Sequence, residues 1–278
     1  MRPALAIVLA AGIVRVGAAQ QPEASSAQLR RVAAASRRFT SRDSARSAGF
    51  VPVFGWLPTM GTHFVDTLRM DKAHFDMLRP DNLMYSPING KDSLVGVAYA
   101  YFTAAGDTAH PATFDGNPPW HEHPNLAPPG QTLVMLHVWF VPSPDGPFAG
   151  HNANLPFWAA GLEPPPTIDL RARKTALALA EVVDTVAIFP NLSRRPSMAP
   201  RLAEWRGQVR GLIPRLDAAQ KAGDWSRWNA VADSAAAIWD AMSAAYFAER
   251  VPAPIQVRMH RFIDDMLGAG HHDMPGMH

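Results

Sequence analysis

The sequence predicts an α+β protein: a small, mostly antiparallel β-sheet or open barrel followed by a helical region. Between Phe50 and Pro166 short apolar runs alternate with Pro, Gly, Asn and aromatic residues, the profile of strands joined by long loops. Beyond Pro164-Pro165-Pro166-Thr167 the chain becomes Ala-, Leu- and Arg-rich, with apolar residues at helical spacing. The triple proline suits neither element, so it marks the boundary between them.

Residues 1–19 read as a signal peptide. Arg2 gives a basic start, Ala4 to Val14 is an apolar run of eleven, and Gly17-Ala18-Ala19 offers a small-residue cleavage site. Eleven residues fall short of the roughly 20 that span a hydrocarbon core, so a periplasmic or secreted protein with no integral membrane segment after processing is expected. Residues 20–49 form an N-terminal segment, partly helical.

The β-rich region, 50–166, contains two evident strands. Leu94 to Phe102 places Val95, Val97, Tyr99 and Tyr101 on one face, and Gln131 to Val141 aligns Leu133, Met135, His137, Trp139 and Val141. Shorter strands are expected at Phe50 to Trp56 and Asn82 to Ser86, the latter before the turn-forming Ile88-Asn89-Gly90. In the helical region, 167–268, Trp225, Trp228, Ala232, Ala235, Trp239, Met242 and Tyr246 recur at steps of three and four behind Asp224, a candidate N-cap. This aromatic stripe predicts packing against the sheet or neighbouring helices. Helices are also expected over Asp169 to Phe189, over Pro200 to Ala222 with a perturbation at Pro214, and over Ile255 to Leu267.

The chain of 278 residues carries 26 Lys and Arg against 24 Asp and Glu, and loss of Arg2 and Arg15 with the signal leaves the charges balanced. A nucleic-acid partner is not implied. There is no cysteine, which excludes disulfides and thiolate ligands and leaves His, carboxylate, Met or carbonyl groups as metal donors.

The chemistry-bearing stretch is Trp120-His121-Glu122-His123, followed by His137 in an apolar strand. Imidazoles two apart on an extended segment project the same way, so His121 and His123 offer paired nitrogen donors, braced by Pro118-Pro119 and the proline-rich run from Pro124 to Gly130. His137 lies among large apolar neighbours. Its ring must be neutral and partnered by a metal, a backbone carbonyl or a buried carboxylate. An ordinary hairpin pairing His121 with Leu133 would leave His137 roughly 13 Å along the strand, too far to share an ion. His63 is a further candidate, after Gly61, where a sharp turn is possible. His151 lies in a loop and is a weaker candidate, while His74, His110 and His260 read as solvated or capping residues. Glu122 alternates away from its flanking histidines, which suits a proton-transfer or supporting role better than ligation.

The runs Phe39-Thr40-Ser41-Arg42-Asp43-Ser44-Ala45-Arg46-Ser47-Ala48-Gly49-Phe50, Met60-Gly61-Thr62-His63-Phe64-Val65, Arg79 to Tyr85, Leu94 to Tyr99, and Leu136-His137-Val138-Trp139 with Pro144 to Ala149 resemble a family of exported bacterial proteins of unassigned function. The likeness covers about residues 38–157. It implies His63 and His137 as motif positions and implies no substrate. Relatives of this kind tend to carry a glutamate where this chain has Ala98.

Residues 269–278 form a His- and Met-containing tail, with His271, His272, Met274, Met277 and His278 suited to exchangeable copper. The leading expectation is an exported protein that binds a divalent transition metal, zinc or copper, through His63, His121, His123 and His137. A metalloenzyme with an open position on the metal and Glu122 as proton shuttle is one alternative. A structural or partner-binding exoprotein with core histidines is the other.

Overall fold

A computed structural model describes residues 23–70, 75–116, 118–183, 188–189, 195–249 and 252–268. Residues 1–19, where a signal peptide is expected, His74 and the tail from residue 269 lie outside the described residues. The architecture is α+β, an open sheet of six antiparallel strands followed by a helical region.

Two short helices, α1 (Glu23–Ser36) and α2 (Arg42–Ser47), precede the sheet. Ser41 starts α2 with a capping box, exchanging hydrogen bonds with Ser44. The strands are β1 (Val51–Leu57), β2 (Gly61–Val65), β3 (Asn82–Ile88), β4 (Lys91–Ala104), β5 (His121–His123) and β6 (Gln131–Trp139), in the spatial order β1-β2-β3-β4-β6-β5. Asn89 and Gly90 make the β3–β4 hairpin, both with positive φ (49° and 77°), as a primed two-residue turn demands.

One face of the sheet packs Phe64, Leu83, Tyr85, Val97, Tyr99, Leu136 and Val138 against α1, α2 and Phe114. The other presents Met84, Val95, Ala98, Ala100, Leu133, Met135 and Trp139 to Leu155 and Trp158 of α3 (Leu155–Ala159). Val95 does not share a face with Val97 and Tyr99 as strict alternation predicts. Met84 pairs with Gly96 and Tyr85 with Leu94, so Val95 is the extra residue of a β-bulge and is turned to the opposite side.

The helical region comprises α4 (Leu170–Val183), α5 (Ala199–Lys221), α6 (Trp225–Ala248) and α7 (Ala253–Leu267). The helix expected as far as Phe189 is seen to Val183, and residues 184–187 are outside the described set. α5 runs through Pro214. Asp224 caps α6 by accepting from the Arg227 amide at 2.9 Å. The aromatic stripe is a packing surface: Trp228, Trp239, Met242 and Tyr246 are buried, with Trp239 stacked on Phe189 and Trp228 beside Phe157. Trp225 is 38 % exposed and lies outside that core. The helical cluster also takes in Trp56, Phe157 and Leu162, so its apolar core extends across the triple proline. Among the described residues no helix is long and apolar enough to cross a membrane.

Candidate metal centre

His63, His121, His123 and His137 lie on the sheet face that carries Met84, Ala98, Met135 and Trp139. Strand alternation puts His137 with Met135 and Trp139 on β6, and the register pairs His63 with Met84 and Ala98 with His137. In a flat sheet His63 and His137, three strands apart, would be separated by roughly 14 Å. Their ring centroids are 5.4 Å apart. The two side chains therefore lean toward each other across β3 and β4, where Ala98 and Ala100 are small and the Met84 methyl packs against Gly96.

The pairing of His121 with Leu133 expected from a simple hairpin is corrected by the structure. His121 faces Met135 and His123 faces Leu133, a shift of two residues. A 3-10 turn at Pro124–Leu126 and a turn closed by the Gln131 amide on the Pro128 carbonyl fill the intervening loop. Because the shift is even, the histidines keep their face, but His137 becomes a diagonal neighbour of His121, with ring centroids 4.8 Å apart. His121 and His123 are 4.9 Å apart. Two imidazoles bound to one tetrahedral ion at roughly 2.1 Å have centroids about 5 Å apart, so each of these spacings is compatible with sharing an ion.

The rings are linked as a chain, His63 to His137 to His121 to His123. Among the described residues, no three or more His, Cys, Asp or Glu side chains as they stand are arranged to hold a metal ion. What is built is the orientation of the donors. His137 is fully buried, and its Nδ1–H donates to the Gly150 carbonyl at 2.8 Å. A carbonyl only accepts, so Nδ1 carries the proton and Nε2 of the neutral ring holds a free lone pair. That Nε2 has no hydrogen-bond partner, and the same is true of Nε2 on His63 and on His123.

Burial keeps these rings neutral. It pushes His63 down to about 4, with His123 adding to the effect, and His121 down to about 3, with His123 and His151 adding. His123 is lowered by burial, and His137 is driven well below the usual imidazole range by burial and then by the surrounding histidines. Neutral imidazole is the ligating form, and no proton need leave before a metal enters.

The loop from Pro142 to Asn154 folds over this face. Besides the Gly150 carbonyl on His137, it lays Gly150 against the His121 ring and takes the Trp139 indole N–H on the Ala149 carbonyl at 2.6 Å. The Asn152 amide donates to the Thr59 carbonyl at 2.8 Å. His151 rides on the same loop, its Nδ1 2.8 Å from the Thr59 hydroxyl and its ring beside Phe262 of α7. Burial, reinforced by His123 and Arg173, pushes it down to about 4. His151 has little signature in the sequence, since a loop position carries no periodicity. The neighbouring Gly150, which allows close approach, was the available hint.

Glu122 is not brought to the imidazoles. It is exposed on the opposite side of β5, where its charge, after burial and Asp107, helps push the Tyr101 hydroxyl up to about 12. His110 contacts the Tyr101 hydroxyl at 2.7 Å and stacks on Trp120, while His260 stacks on Phe247. Both lie away from the site. Comparison with protein families, curated proteins and solved structures finds no match for this chain.

Proposed function

We propose that this is an exported protein that binds a transition metal ion, zinc or copper, through His63, His121, His123 and His137. The observation that carries the reading is His137: a ring buried in the sheet, held by the Gly150 carbonyl so that Nε2 keeps an unpartnered lone pair, with the His63 and His121 rings beside it. A buried ring nitrogen without a partner is costly, and three on one sheet face are the arrangement that a common cation would satisfy. A supporting hydrogen bond of this kind is what orients histidine ligands in metal proteins. The three neighbouring spacings along the chain of rings each suit two imidazoles on one ion.

The metalloenzyme reading with Glu122 as shuttle is less well supported, because that carboxylate projects from the other face. The reading as a structural exoprotein with core histidines predicts no metal at all. Elemental analysis and titration of tag-free protein separate these readings. About one zinc or copper ion per chain is expected at this site, lost in the His121→Gln/His123→Gln variant, whose two positions are only half-buried. Unchanged metal content and affinity in that variant would overturn the proposal. Export is tested by the mass of the mature chain, expected to begin at Gln20.

A further inference from the structure

The imidazole face carries a second set of donors. Met84 lies directly across the strand pair from His63, and Met135 directly across from His121 and two residues before His137 on the same face. Directly opposed residues have Cβ atoms about 5 Å apart, which brings a thioether within reach of an ion held by the facing imidazole. Both methionines are buried, Met84 completely and Met135 with 6 % exposed. We propose, resting on the metal-binding reading above, that this face is a mixed imidazole and thioether site for monovalent copper, with Met84 and Met135 as ligands beside the histidines.

Three observations favour the monovalent ion. The donors on this face are all neutral: there is no cysteine in the chain, Glu122 is on the other side of β5, and Asp145 is held by Arg173 at 2.6 and 2.8 Å. The cost of placing an ion among buried apolar groups rises with the square of its charge, so a divalent ion without a compensating carboxylate bears about four times the penalty of a monovalent one. Thioethers are soft donors that select Cu(I) over zinc, and Cu(I) imposes no demanding geometry. Finally, the imidazoles form a chain rather than a closed triad, and among the described residues His, Cys, Asp and Glu alone complete no site. Thioethers supply the missing donors.

The test is anaerobic titration of the full-length, tag-free protein with Cu(I) against a competing chelator, and separately with Zn(II). It compares the wild type with Met84→Leu/Met135→Leu and with His121→Gln/His123→Gln. Leucine keeps the methionine volume, and thermal scans confirm folding. The tail methionines are present in every variant, so differences report on the sheet. The expected result is at least a tenfold loss of Cu(I) affinity in the methionine variant with Zn(II) affinity within twofold, and a reduced sulfur shell at about 2.3 Å in X-ray absorption. Should the double variant unfold, Met135→Leu is read in the same way. A smaller loss of Cu(I) affinity, with both metals still lost in the histidine variant, overturns the copper proposal and leaves the metal-binding reading standing. Wild-type binding of both metals by the histidine variant overturns both.

Discussion

Gly61 opens β2 with φ of +73°, a conformation that other residues enter at a cost, and a Cβ there would lie 2.6 Å from the Tyr85 carbonyl oxygen. That oxygen belongs to the backbone of β3 and cannot turn aside. His63, two residues on, takes its place on the imidazole face from this tight start. Gly61→Ala is therefore expected to destabilise the fold by about 2 kcal/mol or more and to weaken metal binding. Urea unfolding checks it. A midpoint unchanged within error would show that β2 and β3 can separate there without loss. At this scale His137 was readable from sequence, because a lone imidazole in an apolar strand needs a partner. That the partner on one nitrogen would be the Gly150 carbonyl, leaving the other for a metal, depends on a loop whose course no periodicity encodes.

Strand alternation decides which side chains share a face, and β5 shows its reach in three residues. His121 and His123 join the imidazoles, and Glu122 goes to solvent. Glu122→Gln should leave metal content unchanged and stability within about 0.5 kcal/mol of wild type, as is usual for exposed positions. Loss of the metal in that variant would mean that the strand turns over when loaded. The long strands, the Asn89-Gly90 hairpin and the helices of the second region were legible because period and turn chemistry are local. β2 was missed because its five residues, all buried, show no alternation. The face of Val95 and the register of His121 were misread for a different reason: a bulge and a loop length shift pairing without leaving a mark on the hydrophobic pattern. The inward lean that unites His63 with His137 is a property of several strands together, and no single segment specifies it.

For the molecule as a whole, the imidazole cluster imposes a pH profile on the metal-free protein. His63, His121, His123, His137 and His151 all have folded-state values below the ordinary 6.5, so below that pH the unfolded chain binds protons that the folded chain refuses. Their contribution is present above pH 6.5 and is lost progressively as the pH falls, through about 4 for His63 and His151 and about 3 for His121. Two carboxyl groups act in the opposite sense. Burial raises Asp81 to about 8 and raises Glu181, so the folded state holds their protons longer and stability declines as these groups ionise. Five groups outweigh two below pH 6.5, so the net stability falls as the pH falls there. Above it Asp81 tilts stability downward toward pH 8. Thermal unfolding of metal-free protein should thus peak near neutrality and fall steeply between pH 6.5 and 4.5. A melting temperature that holds or rises over that acid interval contradicts the neutral, buried state assigned to the cluster.

Trp56 comes early in the chain yet packs into the helical cluster with Phe157 and Leu162, its indole N–H held by the Ser86 hydroxyl at 2.9 Å. During synthesis this side chain leaves the ribosome well before the residues of α4, α5 and α6 that will cover it. A nascent chain halted at the triple proline would show a sticky aromatic patch beside an unfinished sheet, a surface of the kind that holding chaperones grasp. The order of manufacture thus leaves Trp56 without its apolar neighbours until the helical region has been made.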